Sequence, residues 1–246
     1  MKYNLCFVSG TRADYGKLKS LVKAVQSSPH KSTIFVTGMH MHKDYGYTIN
    51  EIINDGFNTF QFINDSRSSS DMDIALANTV NGLSNYIREN ETDIIVVHGD
   101  RLEALAGAIV GAFNNIPIFH IEGGEKSGTI DESIRHAVSK LSNIHLVSTD
   151  NAKKNLIRMG EKSDFVFNIG SPDIDVMFSK NLPTLVEVRE RYKIAFEEYS
   201  IFMFHPITTE KESQYLKAQM ILRCLANRQV NVVIIHPNND KGSESI

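Results

Sequence analysis

The sequence predicts an α/β fold, a parallel sheet wound with helices on both faces. Three observations carry that expectation. Apolar strand-like runs alternate with helical patterns along most of the chain. The runs IIVVH and IPIFHI are continuously apolar instead of alternating, as strands covered on both faces are. Between them, ALAGAIVGAF is apolar all round and rich in small residues, the pattern of a helix pressed closely into a sheet.

Taken in order, strands are expected at residues 4–8, 33–37, 59–62, 94–98, 116–121, 145–148 and 165–169. Helices fill the gaps at roughly 15–26, 42–54, 71–89, 103–113, 132–141 and 151–158. The first strand is the short apolar run that leads into Gly10, after which an apolar helical pattern begins. In the third helix Met72, Leu76, Val80, Leu83 and Ile87 recur at the three- and four-residue steps of one buried face, with Ser70 and Asp73 as a capping pair. This Rossmann-like N-terminal domain is expected to span residues 1–178. Residues 179–246 then supply a charged linker and a strand, helix and strand (SIFMFHP, 210–227, VNVVIIHP) that begin a second, similar domain. A lone β-α-β buries too little surface to stand alone, so a truncated second domain is the expectation.

Composition narrows the function. At 246 residues, 41% hydrophobic, 22% charged and with a net charge of −3, the chain has no electrostatic reason to bind nucleic acid. Its basic residues are scattered, which disfavours a membrane-binding face, and no apolar run is long enough to span a bilayer. Cys6 and Cys224 read as buried free thiols in a reducing compartment. With no leader peptide at MKYNLCFV, a cytoplasmic protein is expected.

In an open parallel sheet the ligand crevice lies beyond the carboxyl ends of the strands. One strand runs out into His98, Gly99, Asp100 and Arg101, and the next into His120, Ile121, Glu122, Gly123 and Gly124. Asp100 and Glu122 are thus candidates for opposing carboxylates, against the alternative that they cap helices or pair with Arg101 or Arg135. Asp131 follows in GTIDESIRHAVSK, where it or Thr129 could simply cap the next helix. A metal bound by His98, Asp100, His120 and Glu122 is the less favoured reading, because a strand-borne imidazole is more often a hydrogen-bonded core residue. The opening segment VSGTRADYGKL fits neither the triphosphate loop, which needs a hydroxyl where Leu18 stands, nor the dinucleotide fingerprint, which needs glycine where Arg12 stands. It remains a glycine-containing strand-to-helix turn suited to an anion, with Arg12, Gly16 and Lys17 close by. His205 and His236 each close an apolar strand, and His205 is the stronger candidate for phosphate or acid work.

The segments GTRADYGKL, VVHGDRLEAL, HIEGGEKSGTIDESIRHAVSKL, GSPDID and MFHPITTE closely resemble the hydrolysing UDP-N-acetylglucosamine 2-epimerases of sialic-acid-type biosynthesis, including the epimerase half of the bifunctional animal enzyme. The resemblance implies a GT-B-like pair of Rossmann-like domains, a nucleotide-sugar substrate, no metal or redox cofactor, and a homo-oligomer, dimer or tetramer. By the same resemblance Arg12, Gly16, Lys17, Arg101 and His205 match nucleotide-diphosphate contacts. Asp100, Glu122 and Asp131 match the acidic positions linked to catalysis, with His205 assisting the leaving phosphate. The family's chains continue well beyond this one. Rivals are the same reaction on UDP-2,4-diacetamido-2,4,6-trideoxyglucose or a GDP-linked amino sugar, a GT-B glycosyltransferase, and a non-catalytic nucleotide-sugar binder.

Overall fold

The computed structural model describes residues 1–64, 72–180, 182–205 and 214–237. The chain divides into two compact units, Met1–Lys180 and Asn181–Ile246.

In the first unit a 7-stranded, all-parallel sheet runs in the order β3-β2-β1-β4-β5-β6-β7. The strands are β1 (Asn4–Ser9), β2 (Lys31–Val36), β3 (Thr59–Gln61), β4 (Ile94–His98), β5 (Ile118–Ile121), β6 (Ile144–Val147) and β7 (Val166–Asn168). Helices α1 (Arg12–Gln26), α2 (Ile49–Asn54), α3 (Met72–Glu89), α4 (Leu102–Phe113), α5 (Ile130–Leu141), α6 (Asp150–Arg158) and α7 (Pro172–Met177) complete the unit. Strand alternation sends neighbouring side chains into two different cores. Phe7, Ile34, Val36 and Val96 pack with Tyr15, Leu18 and Val22 of α1 and with Ile49 and Ile52 of α2. Cys6, Val8, Phe35, Ile95 and Val97 pack on the other face with Leu83 and Tyr86 of α3 and with Ala104, Ala108 and Val110 of α4. The all-apolar strands are therefore two-sided, as their composition predicts.

Helix α4 lies as close to the sheet as its small residues allow. A Cβ on Gly107 would come within 2.6 Å of Val97 Cγ1, and one on Gly111 within 2.5 Å of Ile118 Cγ1.

Several expectations are corrected. The helix expected over 42–54 is split into one short 3-10 turn, Lys43–Tyr45, and α2, because Gly46 turns into the left-handed region at φ 86°; a second 3-10 turn, Gly38–Met41, precedes it. Met72 is exposed, whereas Leu83 is buried and Leu76, Val80 and Ile87 are partly buried as expected; Thr79, Gly82 and Tyr86 complete the inner face of α3. Ser70, and with it the proposed capping pair, lies outside the described residues. Helix α1 begins three residues earlier than expected, at Arg12, so Arg12 lies in the helix and not in the turn before it. Cys6 is a buried free thiol, but Cys224 is exposed.

In the second unit β8 (Ser200–Met203) pairs in parallel with β9 (Val232–Ile235), with α9 (Gln214–Asn227) between them in sequence. The segment expected to be a charged linker contains α8 (Leu185–Arg191). It starts from a capping box in which the Thr184 hydroxyl accepts from Glu187 N and the Glu187 carboxylate accepts from Thr184 N. No helix among the described residues is long and apolar enough to cross a membrane.

The tight approach of α4 is testable. Gly107→Val should destabilise the fold by about 1–3 kcal/mol through overpacking against Val97 and Val8, read as a lowered thermal midpoint. An unchanged midpoint would mean that α4 can back away from the sheet.

Candidate active site at the carboxyl edge of the sheet

The strand order reverses between β1 and β4, so the crevice expected of a doubly wound sheet opens beyond Ser9 and His98. Two turns there adopt left-handed backbone. Gly99, at φ 69°, donates its N–H to Ile121 O at 2.9 Å, and Glu122, at φ 60°, donates to Leu146 O at 2.9 Å. For a residue with a side chain such a conformation is costly, and strain of this kind collects at functional positions.

The Glu122 carboxylate is the hub. Its Oε2 accepts from Lys17 Nζ at 2.6 Å and from His98 Nε2 at 3.0 Å, while its Oε1 accepts from Ser148 Oγ at 3.2 Å and Ser171 Oγ at 3.0 Å. Lys17 also lies 3.5 Å from Asp173, in the first turn of α7. Burial alone would raise the Glu122 carboxyl. The hydrogen bonds and charges of His98 and Lys17 outweigh it and hold the acid far below its ordinary value of 4.5. For Lys17 burial works to lower the ammonium, but Glu122 and Asp173 prevail and raise it. Glu122 is thus an anion over the whole working range of pH.

Asp100, one strand across, pairs with Arg135 of α5, whose other guanidinium nitrogen donates to Glu125 O at 2.9 Å. The HGD turn is pinned from beneath by His120, which is fully buried. Its Nε2–H donates to Gly99 O at 2.8 Å, since a carbonyl can only accept, and its Nδ1 lies 3.0 Å from Ser139 Oγ. Burial drives this imidazole down to about 3, so it stays neutral. His98 and Glu122 are thus bonded to each other, while Asp100 pairs with Arg135 and His120 with Gly99 and Ser139. Among the described residues no group of three or more His, Cys, Asp or Glu is placed to hold a metal ion.

Asp131 sits in the first turn of α5 and accepts from the Thr129 hydroxyl at 3.0 Å. Thr129 takes the N-cap position of α5, as the sequence allows, but makes no side-chain capping bond; the Glu132 carboxylate instead ties back the loop before the helix, accepting from Ser127 N and Gly128 N at 2.7 Å each. Arg135 turns to Asp100 and not to Asp131, one helical turn before it.

At the opening turn Asp14 closes a capping box. Its carboxylate accepts from Gly10 N at 3.0 Å, from Thr11 N at 3.1 Å and from Ser9 Oγ at 2.5 Å. The amides that the sequence offered to an anion are thus partly occupied by the chain's own acid. Arg12, the first residue of α1, is exposed at the helix amino end. A Cβ on Gly16 would meet nothing within 4 Å, so no close approach requires glycine there. Arg101 takes the N-cap position of α4 in extended backbone. His205 and His236 follow β8 and β9 in the second unit, both exposed.

Sequence reasoning assembled Asp100 and Glu122 at neighbouring strand ends but missed Ser148, Ser171 and Asp173. A signal for them existed: Ser148 and Ser171 follow strand ends as His98 and Glu122 do, and GSPDID carries a helix start. The link between Lys17 and Glu122 had none.

The fold is α/β and GT-B-like, an open parallel sheet with charged side chains gathered at its carboxyl edge. The profile of the UDP-N-acetylglucosamine 2-epimerase family matches residues 23–246, and the chain belongs to that family. It is 46% identical over 247 aligned residues to the UDP-N-acetylglucosamine 2-epimerase of Neisseria meningitidis serogroup B, covering 100% of this chain and 65% of that protein. It is 35% identical to the UDP-N,N'-diacetylbacillosamine 2-epimerase (hydrolyzing) of Legionella pneumophila, covering 98% of this chain and 66% of that one. The chain therefore spans about two thirds of the length of these relatives. Among solved structures, a Neisseria meningitidis UDP-GlcNAc 2-epimerase bound to UDP-GlcNAc superposes with a TM-score of 0.82 at 20% identity, covering 100% of this chain and 68% of that one.

The depressed acid at Glu122 contributes stability above its ordinary value of 4.5, and that contribution is lost as pH falls below it. Glu122→Gln should lower the thermal midpoint at neutral pH and flatten its decline below that value. Parallel midpoint curves for the two proteins would show that the cluster stores no such linkage.

Proposed function

We propose that the chain carries the sugar-reacting half of a hydrolysing UDP-N-acetylglucosamine 2-epimerase, which converts UDP-N-acetylglucosamine and water to N-acetylmannosamine and UDP. The observation that supports this most is the placing of Glu122 and Asp100 on adjacent strand ends at the switch point, each held by cationic partners. The hydrolysing outcome is favoured by the HGDR and HIEGGEKSGTIDESIRHA segments and by relatives whose names carry that word.

Inversion at C2 needs removal of a weakly acidic C–H proton and expulsion of UDP from C1. The electron pair of the C2–H bond forms the double bond of a 2-acetamidoglucal as the C1–O bond breaks. Water then adds its oxygen to C1, and a proton returns to C2 on the opposite face. Glu122, saturated with donors, serves as a fixed anion that orients Lys17 and His98. Asp100 and Asp131 are left as the groups that carry protons at C2 and to or from water. Arg12, Arg101 and Lys17 hold the diphosphate, and His205 assists its departure. No redox cofactor is needed, because substrate and products are at the same overall oxidation level. A buried Cys6 thiol, driven up to about 12, and an unpaired Cys224 suit a reducing cytoplasm.

A second substrate class has a specific argument behind it. Relatives at 35% and 30% identity are named for N,N'-diacetylbacillosamine, a sugar altered at C4 and C6 but not at the reacting C1 and C2.

Incubation with each nucleotide sugar in deuterated water should release free nucleotide and give a product labelled at C2. Asp100→Asn and Asp131→Asn should each lower turnover by about 10²–10⁴-fold, the usual size of a proton-transfer contribution. Transfer of an unlabelled sugar to an acceptor would make the protein a glycosyltransferase instead.

A further inference from the structure

Beneath the opening turn lies an acid that the reaction above does not use. Glu103, in the first turn of α4, is 5% exposed, and its Oε2 has no hydrogen-bond partner among the described residues. Two glycines are packed onto it. A Cβ on Gly10 would lie 2.4 Å from Glu103 Cδ, and one on Gly38 would lie 2.4 Å from Glu103 Oε1. The same two turns are joined to each other by their backbones: Thr37 N donates to Ser9 O at 3.0 Å, and His40 N to Gly10 O at 3.3 Å. Alongside runs a buried polar row in which Thr48 Oγ1 lies 2.7 Å from His40 Nδ1, and His40 Nε2 lies 3.0 Å from Ser9 Oγ. A leucine or glutamine would fill this volume without the cost of burying an acid.

We propose that Glu103 is a positioning residue: its carboxyl props the Gly10–Thr11 turn and the Gly38 turn from below, and so sets Arg12 and the amino end of α1 for a nucleoside diphosphate. The ligand part rests on the diphosphate role given to Arg12 above; the propping part does not. The charged and titratable groups that face Glu103 are Arg101 at the start of α4, Asp14 of α1 and His40 beside Gly38. Burial raises the acid and Asp14 raises it further, while Arg101, the residue's own backbone N–H and His40 pull it back; the net direction is upward from 4.5. A group raised in the folded state contributes its full stability below the unfolded value. That stability is lost as pH climbs from 4.5 through the raised value. Ionised Glu103 would then press against Asp14 and loosen both turns.

The test uses the full chain, Glu103→Gln and Glu103→Ala, with hydrogen–deuterium exchange across residues 8–14 and 36–41 over a pH series and UDP as the binding probe. Glu103→Ala should speed exchange in both turns by about tenfold, the usual consequence of local opening, and weaken UDP by a similar factor. Glu103→Gln, which keeps the shape and cannot ionise, should restore protection and remove the pH dependence of exchange above 4.5. Wild-type protection in Glu103→Ala would overturn the proposal, as would a Glu103→Gln protein whose pH dependence matches wild type. If Glu103→Ala does not fold, the glutamine variant decides alone. If wild-type protein ignores UDP, the diphosphate role of Arg12 fails while the exchange measurements still judge the prop.

Discussion

One carboxylate, that of Glu122, holds the carboxyl edge of the sheet together. Its donors come from α1, the end of β4, the turn after β6 and the cap of α7, so four separate crossovers meet on two oxygen atoms. The bond from Lys17 depends on β1 and β4 being neighbours, where the strand order reverses, and those from His98, Ser148 and Ser171 on the order β4-β5-β6-β7. The sheet order is in that sense a device for concentrating distant charges. Half-burial makes the ion pair strong enough to fix geometry while leaving the group within reach of a ligand.

The opening turn achieves its charge balance differently. Asp14 satisfies the amides of Gly10 and Thr11 in the turn before α1 and draws hydroxyl and imidazole neighbours around it. An incoming anion would therefore be met by side chains more than by bare backbone. Burial raises the Asp14 acid, but His40, Ser9 and Gly10 more than offset it and keep the carboxylate charged. Glu103, only a short distance away, is driven in the opposite direction. Two acids in one buried layer thus have opposed protonation preferences, set by how many donors each one reaches.

Much of this architecture is written locally. Runs such as IIVVH announce strands buried on both faces, and the alternation of Cys6, Phe7 and Val8 between two cores follows from strand geometry alone. Strand-end logic was enough to place His98, Asp100 and Glu122 at the ends of neighbouring strands. It failed where a single residue sets the conformation, as Gly46 does in the segment before α2, or where a helix is short and made by its cap, as α8 is. It failed also where a long flexible side chain chooses between partners. Lys17 and Glu122 are 105 positions apart, and no periodicity shows that Lys17 turns across the sheet edge to that acid. The pairing of Arg135 with Asp100 was legible only as the alternative to an opposing carboxylate, and it is the one that forms.

The left-handed backbone at Glu122 has a consequence for how this position can change. Asparagine or glycine would relax the main chain there yet discard the negative charge, whereas any longer or branched replacement would worsen the strain. Local comfort and electrostatic purpose pull in opposite directions at this residue. Stabilisation by substituting residues better suited to the local conformation would therefore select against the very side chain that organises the edge, and the position is one to leave alone in any thermostable redesign.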